Sequence, residues 1–302
     1  MIICGAGLGG LIAATQFRQA AIFEKAECPT EVHRALLRFR SDAVAKATGI
    51  DFKKVRVHKG IVDFGKASIS TVATIRDMND YSQKVTGKVA PRSIGDLAPV
   101  DRYIAPLDFY GQLLDQAMPR IQWGVNVTSP KEFTGECPVI STLPMEVFAP
   151  YVGAKDIEFS RAPIHVMRFE LRDVEVYQTV YIPSPQTSIY RLSITGNTVI
   201  AEGTDQPTFS EASYILAAMG IAASGRMVGS PVHSNQRYGK ISPIDDEQRK
   251  AIIIRLTADH NIYSLGRFAT WRNILLDDYI KDIEQIRHMM RYGSYHQHLR
   301  RK

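Results

Sequence analysis

Residues 1–10 read MIICGAGLGG. Ile2-Ile3-Cys4 predicts a short buried strand, and Gly5, Gly7 and Gly10 fit the spacing G-x-G-x-x-G. The run LIAATQFRQA (11–20) has helical spacing. Ala21-Ile22-Phe23 then predicts a second apolar strand that ends at Glu24. This order has a specific physics. Gly5 permits a tight turn, Gly7 lets a pyrophosphate approach the backbone, and Gly10 lets helix and strand pack closely. The phosphates then sit at the positive end of a helix dipole. Glu24, at the tip of the second strand, is placed to accept hydrogen bonds from an adenosine ribose. Gly5 and Glu24 lie nineteen positions apart, a shorter span than this fingerprint usually has, so about one helical turn is missing and the end of the helix must be compact.

The remaining composition is that of an ordinary soluble globular chain. Of 302 residues, 45% are hydrophobic and 23% charged, which suffices for one large or two intertwined domains. No apolar run approaches the ~20 residues of a bilayer span, and no leader-like segment opens the chain; a cytoplasmic protein without membrane contact is expected. Cys4, Cys28 and Cys137 form no C-x-x-C pair and stand apart from histidines, so reduced thiols are expected and no metal site. The net charge is +6 and unevenly placed. Residues 31–60 carry eight Lys/Arg against three acids, a net +5, and the last twenty carry five against one, a net +4. Two basic clusters suit a phosphate-bearing partner, whether dinucleotide, nucleotide substrate or DNA; a solvated surface and a frayed tail would read the same way.

A second strand, glycine turn and helix are expected near the C-terminus. Ile262-Tyr263-Ser264-Leu265 reads as a strand, Gly266 breaks it, and WRNILLDDYIKDIEQIRHMM has helical periodicity. Arg267, directly after the glycine, could bridge a pyrophosphate or a substrate anion, or serve in a structural salt bridge. Trp271 reads equally as a wall beside a cofactor or as core. In between, residues 51–100 read as strands and loops of a lid. APLDFYGQLLDQAM reads as a helix with Asp108 near its start, and 146–205 as short alternating strands. SEASYILAAMGI reads as a helix opened by Ser210 or Glu211. His165 and His233 read as structural. No G-x-S-x-G elbow occurs, which argues against a serine hydrolase, and no second G-x-G-x-x-G supplies an NAD(P)H site.

The segment YSLGRFATWRNILLDD resembles the G-R-x-x-T-aromatic segment of UDP-galactopyranose mutases. More broadly it is similar to the glutathione-reductase-type FAD family that includes flavin amine oxidases. PVISTLPM (138–145) resembles that family's V-I-x-T-x-P return to the FAD domain. VYQTVYIPSPQTSIYRLSITGNTVIAEG resembles its substrate-domain sheet, with Tyr190-Arg191 where the mutases place a phosphate-contacting arginine, and RYGKISPIDDEQRKAI resembles the approach to the last strand. HRALLRFRSDAVAKATGIDFKKVRVHKGI and DRYIAPLDF resemble short FAD-dependent oxidoreductases of bacteriophages, some of which belong to pathways that hypermodify thymine in phage DNA.

The resemblance implies an α/β fold: a discontinuous Rossmann-like FAD domain (1–50, 100–145, 240–290), an inserted antiparallel β-sheet substrate and lid domain (51–99, 146–239), and a basic tail (291–302). It implies FAD contacts at Gly5, Gly7, Leu8, Gly9, Gly10, Glu24, Lys25, Arg38, Arg40, Val125, Thr142, Gly266, Arg267, Asn273 and Ile274. His33 and Arg34 would lie on the same cofactor-side loop. Substrate-side candidates are Tyr181, Tyr190, Arg191 and Trp271, with Tyr238 beside them. The implied activity is oxidation of an amine or amino-acid C–N bond, on a nucleotide or a modified DNA base; the alternative is a non-redox mutase acting on a nucleotide sugar, against which the trimmed helical domain counts.

Overall fold

The protein is described here by a computed structural model that covers residues 1–29, 36–89, 94–133 and 137–300, without the side chains of 236–239 and 292–300. His33, Arg34 and the Tyr238 side chain therefore lie outside the described residues. In chain order the elements are β1 (Ile2–Cys4), α1 (Leu8–Gln16), β2 (Ala21–Glu24), β3 (Arg38–Phe39), α2 (Ala43–Thr48), β4 (Lys53–Asp63), β5 (Ser68–Ser70) and α3 (Ile75–Thr86). Then follow β6 (Val100–Ile104), α4 (Phe109–Ala117), β7 (Ile121–Trp123), β8 (Val139–Ser141), α5 (Met145–Phe148), β9 (Arg161–Leu171), β10 (Val176–Tyr181), β11 (Ile189–Gly196) and β12 (Thr198–Gly203). The chain ends with α6 (Phe209–Ala218), β13 (Met227–Ile241), α7 (Asp246–His260), β14 (Ile262–Ser264) and α8 (Tyr279–Arg300).

These elements form two compact units. The first takes residues 1–54, 103–160 and 241–302; the second takes 55–102 and 161–240. The sheet of the first unit has the order β14-β8-β1-β2-β7 and is parallel at every junction. A parallel sheet is buried on both faces, and its strands are accordingly near-continuous apolar runs of three or four residues. One apolar cluster, with Leu11, Ile12, Phe39, Phe109 and Leu113, packs α1 and α4 together. Another holds Cys4, Val139, Phe148, Leu256 and Trp271. Phe39, Phe52 and Phe109 meet at centroid distances of 4.9–6.2 Å, two of the three pairs edge-to-face.

The second unit is built on a sheet of order β13-β9-β12-β11-β10-β4-β6, with β5 on β4. Its pairs β10/β11, β11/β12 and β12/β9 are antiparallel, whereas β10 runs parallel to β4, so the sheet is mixed rather than wholly antiparallel. Residues of α6 and the inner faces of these strands (Met167, Val180, Leu192, Ile215) form its core.

Two local expectations need correction. The stretch 51–100 is not all strand and loop: Ile75–Thr86 is helical. Its N-terminus carries a reciprocal capping box, Thr74 Oγ1 accepting from Asp77 N at 3.1 Å and Asp77 Oδ2 accepting from Thr74 N at 2.9 Å. The helix of 209–218 opens on Thr208, with Glu211 as the third helical residue closing the box, not on Ser210.

Candidate functional site

The glycine turn lies between β1 and α1. Gly5 adopts φ +99°, a conformation open to glycine, and its N–H donates to Phe23 O at 2.8 Å, tying the turn to β2. A Cβ on Gly10 would collide with the carbonyl oxygen of Gly5, so the helix start and the turn pack in backbone contact. Gly7 is exposed, and a Cβ there would touch nothing within 4 Å. It is the N-cap of α1, with no side-chain cap and no acidic residue in the first turn. The first helical bond is Leu11 N to Gly7 O, at 2.9 Å, so the amides of Leu8, Gly9 and Gly10 have no acceptor among the described residues.

The other end of α1 is the opposite. Arg120 donates to Ala14 O, Phe17 O and Ala20 O at 3.1–3.3 Å, and Arg287 donates to Gln16 O at 2.5 Å. The negative end of the helix is thus satisfied by two cations, and the positive end is left open for an anion. The shortened Gly5–Glu24 span is met by a helix of only nine residues.

Glu24 turns its carboxylate back onto this loop. Oε2 accepts from Ala6 N at 2.7 Å and Oε1 from Ala26 N at 3.1 Å. Tyr110 donates to Ala6 O at 3.3 Å, and burial next to Glu24 raises its phenol above the ordinary value. Lys25 is exposed beside it. Val125 N–H is spent on Glu24 O at 2.9 Å, so this residue can offer a ligand its carbonyl but not its amide. Thr142 is also spent: its hydroxyl and its N–H both donate to Cys4 O, at 2.7 and 3.0 Å, and it staples β8 to β1 directly beside Gly5. Arg38 lies in β3, opposite Ile104. Arg40 pairs with Asp278 at 2.7 Å and with Asp277 at 3.6 Å, while its backbone N–H donates to Asp277.

The second glycine turn follows β14. Gly266 has φ +93°, and its carbonyl accepts from Thr270 N and Thr270 Oγ1, at 2.9 and 2.7 Å. Arg267 donates its backbone N–H to Tyr279 Oη at 3.1 Å. Its guanidinium is half-buried, its Nε is buried without a hydrogen-bond partner, and no carboxylate forms an ion pair with it among the described residues. Burial lowers its pKa from the usual arginine value. A buried cationic donor without an acceptor is costly, and a bound anion is the economical remedy.

The expected helix from residue 271 does not form. Residues 267–275 are turns and loop, and α8 starts only at Tyr279 after a single 3₁₀ turn at Leu276–Asp278. Trp271 sits at φ +47°, which no helix accommodates, because tertiary packing holds it. It is buried, donates Nε1–H to Ser242 O at 2.8 Å, and meets Phe159 edge-on at 4.9 Å. It is therefore a core residue of the first unit, not a substrate wall. Arg272 bonds Asp282 and Thr270, Asn273 is exposed, and Ile274 is half-buried against the core.

In the second unit, Tyr190 is buried with Tyr81, Ile61 and Val85. Tyr81 meets Tyr181 at 5.5 Å and Tyr190 at 6.3 Å, both edge-on, and Lys240 Nζ lies 5.1 Å from the Tyr190 ring centre. Arg191, opposite Glu202 on β12, makes a two-pronged ion pair with it. This differs from the expectation of a phosphate-contacting arginine, since the fork is already occupied by a carboxylate. Among the described residues no three His, Cys, Asp or Glu side chains cluster as metal ligands, and no helix is long and apolar enough to cross a membrane.

A parallel sheet with the glycine turn between β1 and α1, and a second glycine turn after β14, defines a Rossmann-like α/β fold carrying an inserted β-sheet unit. The comparisons agree. Reduced UDP-galactopyranose mutase is similar with a TM-score of 0.65 at 13% identity, covering 96% of this chain and 93% of that one. A CLA-producing fatty acid isomerase from P. acnes is similar at 0.55 and 10%, covering 95% and 97%. A putrescine oxidase redesigned in its cofactor binding is similar at 0.52 and 12%, covering 100% and 98%. These likenesses establish the fold, over essentially the whole chain. No protein-family model and no curated protein sequence matches it.

Proposed function

We propose that this chain is an FAD-dependent oxidoreductase that oxidises a C–N bond of an amine or amino-acid group. The observation that carries the FAD part of the proposal is the pairing of an open, acid-free helix start at Gly7–Gly10 with the unpartnered buried Nε of Arg267 in the other glycine turn. Neither feature is served by a carboxylate among the described residues, and a dinucleotide pyrophosphate is the anion that glycine turns of this kind hold. The residues present fit FAD. The amides of Leu8, Gly9 and Gly10 and the Arg267 fork would take the phosphates, and the remaining lone pairs of Glu24 would take the ribose, with Lys25 next to Glu24 in sequence and Val125 held beside it by the bond from Val125 N–H to Glu24 O. When bound, FAD supplies the two-electron redox chemistry, while the protein binds, orients and excludes water.

For the substrate, the basic segments 31–60 and 283–302 support a phosphate-bearing molecule, a nucleotide or a hypermodified base in DNA, in keeping with the phage-type resemblance. The putrescine oxidase likeness in fold is compatible with amine oxidation. A second reading, a non-redox mutase acting on a nucleotide sugar, is supported by the GRFATW segment and by the mutase likeness. The engagement of Arg191 by Glu202 weighs against it, because that arginine would have to exchange a carboxylate for a phosphate.

The discriminating experiment is anaerobic mixing of the FAD-loaded protein with amino acids, aminated nucleosides and UDP-sugars. Loss of flavin absorbance with an amine-bearing compound supports the oxidoreductase. Turnover of a UDP-sugar only after dithionite reduction, with no bleaching by any amine, overturns it in favour of the mutase.

A further inference from the structure

One side chain fills the space beside a glycine in each of the two turns. A Cβ on Gly9 would lie 2.6 Å from Tyr279 Cε2, and a Cβ on Gly266 would lie 2.5 Å from Tyr279 Oη. Tyr279, the first residue of α8, therefore accounts for glycine at both positions: its ring lies on the first turn of α1 and its hydroxyl on the last glycine turn. The residue is only 9% exposed.

Among the described residues the hydroxyl has one hydrogen-bond partner. Its oxygen accepts the Arg267 N–H at 3.1 Å. A phenol also carries a proton to donate, and among the described residues no acceptor stands within hydrogen-bond reach of it. Burial raises the phenol above its ordinary value, Arg267 and Arg272 oppose this, and Asp282 adds to it, so the proton stays on the oxygen at neutral pH. The amide of Arg267, donating into that oxygen, polarises the O–H and makes it a stronger donor. A buried hydroxyl proton calls for an oxygen acceptor, and beside an open helix start and the cationic Arg267 a phosphate oxygen is the acceptor the charges favour.

We propose that Tyr279 is a further ligand-binding residue of this site, donating its hydroxyl proton to the phosphate portion of the dinucleotide held between the two glycine turns. The inference rests on the FAD reading above. Tyr279 would recognise the phosphates rather than the isoalloxazine, and its ring would hold the Gly9 and Gly266 backbones at the spacing the ligand requires.

The test is calorimetric titration of the full chain, wild type and Tyr279→Phe, with FAD, ADP and riboflavin, alongside the melting temperature of each variant. The phenylalanine keeps the ring in place. The expected result is FAD and ADP affinities about tenfold weaker or more, the loss of one hydrogen bond to an ionised group. Riboflavin binding should be nearly unchanged, and the melting temperature should fall by only a few degrees, because phenylalanine removes the acceptor of the Arg267 N–H. FAD and ADP affinities within about twofold of wild type overturn the role of Tyr279 while leaving the FAD reading intact. A folded wild type that binds neither nucleotide overturns the FAD reading itself and this inference with it. Should Tyr279→Phe not fold, 3,5-difluorotyrosine at position 279 keeps the ring and hydroxyl but loses its proton at lower pH. ADP affinity then falls on raising the pH where wild type holds steady, and a profile superimposing on wild type overturns the proposal.

Discussion

The substitution Gly7→Ala separates a ligand cradle from a merely structural turn. Gly7 adopts φ −72°, which alanine also adopts, and a Cβ there meets no atom within 4 Å. The protein itself therefore has no steric objection to the methyl. As N-cap, alanine is worse than glycine by about 1 kcal/mol, and the loss of chain entropy in the unfolded state returns about 0.4–1 kcal/mol. The net change in stability is within about 0.5 kcal/mol, a melting shift of about 2 °C or less. The cofactor sees the same methyl differently. A phosphate held off the open amides of the α1 first turn loses about 2 kcal/mol of helix-terminus interaction. That corresponds to a dissociation constant raised about 30-fold. The assay is quenching of flavin fluorescence on titrating FAD with each protein, with thermal melts of both apoproteins as the stability control. An alanine variant that binds FAD as tightly as wild type refutes the placement of the phosphates at Gly7. A variant that melts many degrees lower refutes the reading of that space as open.

Other outcomes follow from the same geometry. Gly10→Ala should destabilise the apoprotein by about 1–3 kcal/mol, because its methyl meets the Gly5 carbonyl backbone; a thermal melt unchanged from wild type would contradict the close packing. Trp271→Phe should cost about 2 kcal/mol through the lost Nε1–Ser242 bond and lost volume, yet leave FAD affinity unchanged, as befits a core residue. Exposed Cys28 should react first with a thiol reagent at pH 8, and Cys4 should resist until unfolding. Burial, aided by Glu132, pushes its thiol up to about 12, so essentially no thiolate is present in the native state. Glu202→Gln should lower stability by about 1 kcal/mol rather than the larger cost of a fully buried pair, because the Arg191 side chain keeps 40% of its surface open and can rehydrate.

Much of the first unit was legible from its opening residues because strand, turn and helix there are local. Gly5, Gly7 and Gly10 each answer a constraint set within a few positions, and Glu24 follows at the end of the next strand. The C-terminal turn was half legible. Gly266 and Arg267 stand at the turn, but the periodicity of 271–290 suggested a helix eight residues too early. Trp271 is held at positive φ by Phe159 and Ser242, contacts that periodicity cannot see. The helix Ile75–Thr86 was hidden behind the β-branched lead-in TVATI, although Thr74 and Asp77 carried a capping signal. Tyr279 escaped notice because its meaning depends on Gly9, which lies at the other end of the chain. The roles of Arg191 and Arg40 likewise turn on partners, Glu202 and Asp277–Asp278, that only the fold brings to them.

The central claim is that two glycine turns from opposite ends of the chain enclose one dinucleotide. Equilibrium titration of the folded apoprotein with FAD tests it most directly, with binding stoichiometry as the readout. One FAD per chain, displaced by excess ADP, is the result predicted here. A cooperatively folded protein that stays colourless and takes up no FAD at any concentration would contradict it.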